Sequence, residues 1–154
     1  MKKILITIIC FFLSSCSYNS IGRLYRSENI SGYEYVYVKP TTQRSIGFCN
    51  NGHVVATVMS PSDMIAGEFM SMGFVALNDF PDSTLVQKTI VVAYGEKSVK
   101  KSGDRHRAEI VIQGISYTDY KLLIEVDGVG YGNDEIEAIR DAIDRCFRKI
   151  IEHK

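Results

Sequence analysis

The sequence predicts an α+β domain: one largely antiparallel sheet of four to five strands, with two helices packed on one face. Three observations carry this. Ile136, Ile139, Ile143, Phe147 and Ile150 recur at helical spacing near the C-terminus. Residues 89–94, 108–116 and 120–126 are β-branched or alternating runs separated by short polar breaks. A well-capped apolar segment, residues 61–72, lies between earlier strand-like runs.

Taken in chain order, residues 33–38 (Tyr-Glu-Tyr-Val-Tyr-Val) alternate and are aromatic or β-branched at most positions, which makes a strand ended by Pro40. Tyr33, Tyr35 and Tyr37 share one of its faces; aromatic rows can bind glycans, but packing under a helix or over the sheet edge is the favoured reading. Residues 46–49 and 53–58 flank Asn50-Asn51-Gly52, whose Asn-Gly step supplies the positive φ of a tight hairpin turn. Ser60 caps the next segment, Pro61 suits the first helical position, and Asp63 stands where a capping-box acid belongs. Ile65, Phe69 and Met72 form its apolar stripe, Gly67 marks a close approach to the sheet, and Gly73 stops it. Residues 74–77 return as a strand, and residues 78–83, with Pro81, form a loop.

Residues 89–94 hold Ile90, Val91, Val92 and Ala93 without alternation, as a central strand buried on both faces does. Residues 108–116 carry Ile110 and Ile112 on one face. Residues 120–126 carry Leu122, Ile124 and Val126, and Thr118-Asp119 joins these two strands as a hairpin. Asn133 caps the last helix, Asp134 and Glu135 sit in its first turn, and Arg145, Arg148 and Lys149 lie towards its C-terminal end, matching the helix dipole.

The 154 residues suffice for one such domain. Eighteen basic residues balance eighteen acidic ones, so nothing in the charge calls for nucleic acid. The strongest motif is at the start. Lys2 and Lys3 precede an apolar run from residue 4 to residue 13 broken only by Thr7. Ten residues rise about 15 Å as a helix, half of a hydrocarbon core, which makes this a signal h-region and not a membrane span. Leu13-Ser14-Ser15-Cys16 follows. Small residues fit a signal peptidase, and the thiol after them is the nucleophile that takes a diacylglyceryl group. The motif resembles the lipobox of bacterial lipoproteins. The organisation that results is a lipoprotein signal peptide over residues 1–15, a flexible tether over 16–32 and a single α+β domain over 33–152. Several acyl chains on Cys16, palmitate among them, suffice for stable membrane anchoring. Ser17, in place of an aspartate, implies the outer membrane by the sorting rules of such lipoproteins.

The residues Pro61-Ser62-Asp63-Met64-Ile65-Ala66-Gly67, Met72-Gly73-Phe74-Val75, Ile90-Val91-Val92-Ala93-Tyr94-Gly95-Glu96, Glu109-Ile110-Val111-Ile112-Gln113 and the run from Asp134 to Ile143 resemble uncharacterised lipoproteins of Bacteroides-type bacteria. That resemblance implies fold and location and no activity. Surface-exported lipoproteins of that kind carry acids directly after the acylated cysteine. In this chain Ser17-Tyr18-Asn19-Ser20 follows, which implies a domain facing the periplasm.

Chemistry is sparse. Gly128, Gly130 and Gly132 lack the spacing of a dinucleotide-binding loop and read instead as a place where a helix packs close on a strand. Val129 and Tyr131 stand where a calcium loop needs oxygen ligands. His53, His106 and His153 have no ligand spacing, so no metal and no cofactor is expected. Cys49 and Cys146 leave a disulfide open, and Cys146 falls on the helix stripe, where a free thiol also fits. Lys97, Lys100, Lys101, Arg105, His106 and Arg107 gather in what reads as a loop before Ala108, either a solvated tip or a contact for an anionic polymer or lipid phosphate. These features together describe a membrane-anchored lipoprotein with a small non-enzymatic binding domain, its partner an envelope protein or anionic envelope polymer. The alternative is a small hydrolase acting on envelope glycans or lipids.

Replacing Cys16 with serine removes the nucleophile for acylation. We expect the C16S protein to remain unprocessed or to appear in the soluble fraction. A processed variant that still fractionates with membranes counts against the lipobox.

Overall fold

The computed structural model describes residues 22–50 and 53–152. The signal segment, Cys16 and its neighbours, the Asn51-Gly52 turn and His153 lie outside the described residues. The strands are β1 (Gly22–Ser27), β2 (Tyr35–Val38), β3 (Arg44–Asn50), β4 (His53–Met59), β5 (Val75–Leu77), β6 (Thr89–Ser102), β7 (Arg105–Ser116) and β8 (Leu122–Gly132). The helices are α1 (Pro61–Ser71) and α2 (Glu135–Glu152). Six strands form one sheet in the order β1-β8-β7-β6-β2-β5, and β3 with β4 forms a separate two-stranded hairpin. Among the described residues no helix is long and apolar enough to cross a membrane.

The α+β class holds, with a sheet of six strands and mixed direction. β6, β7, β8 and β1 are antiparallel neighbours. β2 runs parallel to both β5 and β6. Parallel neighbours need a crossover, and α1 supplies it between β2 and β5. The β3–β4 hairpin is inserted into that crossover.

The polar segment expected as a tether is in part a strand. Gly22–Ser27 pairs with β8, Arg23 N donates to the Asp127 carboxylate at 3.0 Å, and Glu28 N donates to the Leu123 carbonyl at 2.9 Å. Ile30 is buried, and Leu24 and Tyr33 pack against the core. The described fold therefore includes residues 22–32, upstream of the Tyr33 start that the sequence suggests. A few apolar residues scattered among Ser, Asn and Gly are too weak a pattern to announce an edge strand.

α1 is built as its sequence implies. Ser60 Oγ accepts from Asp63 N, and Pro61 opens the helix. At the far end Gly73 takes φ +97°, Phe74 N donates to Phe69 O at 3.1 Å, and Gly73 N donates to Met70 O at 3.0 Å. This is a Schellman motif, and its hydrophobic clasp is the edge-to-face pair Phe69–Phe74, centroids 5.6 Å apart. Gly67 does not touch the sheet: it is exposed, and a Cβ there would meet nothing within 4 Å.

α2 is capped one residue later than expected. Asp134 Oδ1 accepts from Glu137 N at 2.8 Å, while Glu137 reaches back to Asn133 N at 2.9 Å. Its buried stripe runs Ile136, Ile139, Ile143, Phe147 and Ile150, as expected, and adds Ala138, Ala142 and Cys146 at four-residue spacing. Those three lie over Gly128, Gly130 and Gly132 of β8. A Cβ at Gly128 would lie 2.6 Å from Ala142 O and 2.7 Å from Cys146 Sγ; one at Gly130 would overlap the Ala138 carbonyl and the Ala142 amide. Two strand residues advance about 6.7 Å and four helical residues about 6 Å, so the two small-residue rows stay in step. The helices join where Phe69 of α1 meets Phe147 of α2 edge to face at 5.0 Å.

Cys146 is a free, fully buried thiol in this packing. Burial, and secondarily the Asp127 carboxylate, pushes it up to about 12. The Cys49 side chain lies outside what is described.

Two expectations follow. Gly130→Ala sets a methyl against backbone that cannot rotate away, and overpacking of this kind costs about 1–3 kcal/mol or more. The G130A domain should lose roughly 10 °C in melting midpoint, while G67A, in open helical space, should gain about 0.4–1 kcal/mol. Iodoacetamide should leave Cys146 unmodified in the native protein at pH 8 and alkylate it in urea. Native labelling at the rate of a free thiol peptide would place that thiol at the surface.

Candidate functional site

The basic segment is not a loop. β6 and β7 form a long hairpin, paired from Ile90 with Ser116 out to Ser102 with Arg105 and turning at Gly103 (φ +64°) and Asp104; β8 accompanies β7 as far as His106, so only the tip of this ribbon stands clear of the sheet. The sequence gives no apolar alternation over residues 97–107 because the ribbon's outer part has little core to cover. Polar strands of this kind are held by ladder hydrogen bonds and cross-strand pairs, which carry no hydropathy signal.

The five basic residues separate into two groups. Lys97 sits at a bulge between Glu96 and Ser98 and pairs with Asp127 at 3.2 Å. Arg107 pairs with Glu109, its neighbour on the same face of β7, and bonds the Tyr131 hydroxyl; the Tyr131 bond is the first cause of its raised pKa. These two cations hold the sheet together. Lys100, Lys101 and Arg105 are exposed at the tip and form no ion pair among the described residues. His106 is half-buried on the helix-covered face of β7, and its Nδ1 has no hydrogen-bond partner among the described residues.

Between the tip and α2 lies an open cleft of about 620 Å³ lined by Ser102, Asp104, Arg105, Tyr131, Asp141 and Arg145. Of its two acids, Asp141 is committed: its Oδ2 accepts from Tyr131 N and from Arg145 Nε, both at 2.9 Å, clamping the end of β8 to the helix. The i, i+4 spacing of Asp141 and Arg145 is visible in the sequence as a helical pair; its reach to β8 is not. A second cleft, of about 430 Å³, is lined by Pro40, Thr41, Thr42, Arg44, Tyr94 and Glu96. Arg44 bridges Glu96 and, at 2.9 Å, Glu135 of α2, so it ties the base of the hairpin to both sheet and helix. Tyr94 donates to Glu96 at 2.9 Å, and burial, reinforced by that carboxylate, raises its pKa so that the phenol stays protonated.

The remaining polar groups are similarly engaged. Ser62 Oγ contacts Ser60 Oγ at 2.8 Å and Thr41 Oγ1 at 3.2 Å, and Thr41 Oγ1 accepts from Ser62 N. These hydroxyls lace the start of α1 to the end of β2. Glu68 of α1 and Asp144 of α2 have raised pKa values, chiefly through burial; Asp144 adds to the rise at Glu68, and Asp141 to that at Asp144. The influence of Asp144 on Glu68 across two helices is invisible in the sequence, because nothing in it announces which faces of α1 and α2 meet.

On the helix-free face the aromatics form a row. Alternation puts Val36 and Val38 in the core and turns Tyr35 and Tyr37 the other way, so these two tyrosines do not pack beneath a helix. Phe80 meets Tyr37 edge to face at 5.4 Å and Tyr117 at 4.9 Å, and Tyr117 meets Tyr120 at 5.7 Å. Tyr120 is 71% exposed and takes φ 54°, at the β7–β8 turn, the opposite end of the sheet from the basic tip.

No protein-family model matches the chain and no curated protein matches it. Solved structures do. The PelC dodecamer from Paraburkholderia phytofirmans is similar at 14% identity and a TM-score of 0.50, over 84% of this chain and 95% of that one. A point variant of the same dodecamer is similar at 13% identity and a TM-score of 0.51, over 84% of this chain and 92% of that one. At this identity the likeness is one of fold.

Proposed function

We propose that the chain is an acyl-anchored lipoprotein of the cell envelope whose domain works by assembly and not by catalysis. The observation that carries this is the correspondence of the domain, along nearly the whole of the other chain, with a subunit of the PelC dodecamer. By that correspondence copies of the chain itself are its first partner. Lipid on Cys16, followed by Ser17, holds it at the outer membrane with the domain in the periplasm.

The chemistry of the domain supports this reading. Cys146 is held as a neutral thiol inside the core and Tyr94 as a neutral phenol, neither of which is an activated nucleophile. The hydroxyls of Thr41, Ser60 and Ser62 bond one another and backbone, and Asp141 bonds backbone and an arginine. What the domain does offer is surface. Val75 at the edge strand, Val58 on the hairpin and Phe80 with Tyr120 on the open face are each about half exposed or more. Apolar groups spread around a small domain suit contacts with neighbours on more than one side, as a subunit in a closed assembly makes.

Mass measurement tests the first step. The acylated full chain, extracted in detergent, should run as one discrete oligomer of many copies by light scattering and native mass spectrometry. A monomer at every concentration up to the micromolar range would overturn the assembly reading.

A further inference from the structure

We propose that the basic tip of the β6–β7 ribbon, Lys100, Lys101 and Arg105, is a membrane-docking surface that rests on the anionic headgroups of the bilayer holding the acyl chains of Cys16. This rests on acylation at Cys16. It adds which end of the domain faces the lipid, and by what contact.

Reach and direction both point to the tip. β1 opens at Gly22, six residues after Cys16. Six residues span at most about 20 Å, so the lipid surface lies within that distance of Gly22. Gly22 stands opposite Gly128, and Gly128 opposite Ile110. β1 runs antiparallel to β8, so its N-terminal end faces the end of β8 beside which the ribbon turns. From Ile110 to Arg105 is five residues, about 17 Å along the strand. Six residues are therefore long enough for lipid on Cys16 to lie level with the tip, some two strand spacings to one side. The opposite end, at Tyr117, is seven residues beyond Ile110, about 24 Å along the strand, which is more than six residues span.

Charge agrees with reach. Lys100, Lys101 and Arg105 have no ion-pair partners among the described residues, against the single acid Asp104 in the turn. The nearby acids of α2 are engaged: Glu135 by Arg44, Glu137 by Asn133 N, and Asp141 by Arg145 and Tyr131 N. Each basic residue near an anionic surface raises its occupancy roughly fivefold. Docking by three of them, with one acid opposing, fixes an orientation that the acyl chains alone leave free.

The chain has no tryptophan, so a single introduced one reports position. The test uses the acylated full chain reconstituted in vesicles of phosphatidylcholine with or without phosphatidylglycerol, each carrying a nitroxide-headgroup lipid. Ser102→Trp should be quenched about threefold more in anionic vesicles than in neutral ones. The excess should vanish in 0.5 M salt and in the K100Q/K101Q/R105Q background, while Tyr120→Trp stays bright throughout. Unchanged quenching of S102W after neutralisation, or stronger quenching of Y120W, overturns the docking and leaves anchoring intact. A chain that floats with neither vesicle sinks the anchoring, and the docking with it.

Discussion

The contact between β8 and α2 sets the geometry of everything else. Gly128, Gly130 and Gly132 remove every side chain from one face of the strand's end, and Ala138, Ala142 and Cys146 remove bulk from the facing side of the helix. Backbone then lies on backbone, closer than any pair of Ile or Leu residues allows. The helix can take one axial position and one rotation, because a shift of a single residue would set Ile139 or Ile143 against the glycines. That fixed rotation directs Phe147 to Phe69 and hence positions α1. It also directs Asp141 to the Tyr131 amide and Glu135 to Arg44. The core is conventional in composition but its alignment depends on what these three positions lack.

The ribbon shows the same division between a packed and an unpacked half. From Thr89 to Val92, β6 is buried on both faces; past Glu96 only Ser98 and Val99 are part-buried, and Lys100 to Ser102 are exposed. A bulge at Lys97 lies where this change begins. Its cations divide by what they meet. Lys97 and Arg107 are held by Asp127, Glu109 and Tyr131. Lys100, directly opposite Arg107, and Lys101 and Arg105 nearer the turn have no acid to hold among the described residues. A charge cluster that looks uniform in sequence is thus two populations in the fold.

This is also why the sequence was legible in some places and not in others. The stripe of α2, the caps of α1 and the buried strands β6 to β8 write themselves as apolar periodicity or as Ser-Pro and Gly punctuation, which act locally. The glycine row was readable for a similar reason: glycines at every second position of a strand leave a bare face, and a bare face implies a close neighbour. β1 was not readable, since Gly-Arg-Leu-Tyr-Arg-Ser shows no apolar alternation. The parallel placement of β2 between β5 and β6 was also hidden. It depends on where α1 carries the chain, and Tyr35-Val36-Tyr37-Val38 reads the same in either direction. Gly67 misled because glycine inside a helix suggests contact, whereas this one faces solvent. The cleft by Asp141 and the Arg44 bridge join residues as far as 91 positions apart, which no spacing rule spans.

The two ends of the sheet differ in a way that bears on assembly at a membrane. One end carries the three exposed cations Lys100, Lys101 and Arg105 on a ribbon stiffened by ladder hydrogen bonds. The other carries Phe80, Tyr117 and Tyr120, rigid rings in a chain of contacts that starts from Tyr37, with Val75 exposed on the edge strand. Long flexible cations suit a yielding, hydrated, anionic surface, where exact geometry is unimportant. Rigid aromatics suit a protein surface, where few rotamers need be fixed on contact. On the proposed anchoring, a chain tethered near the first end would present the second away from the bilayer, towards a neighbour or another envelope component. Acyl chains, ribbon and aromatic row would then lie along one axis, the strand direction of β6 to β8, over which α2 packs on the glycines.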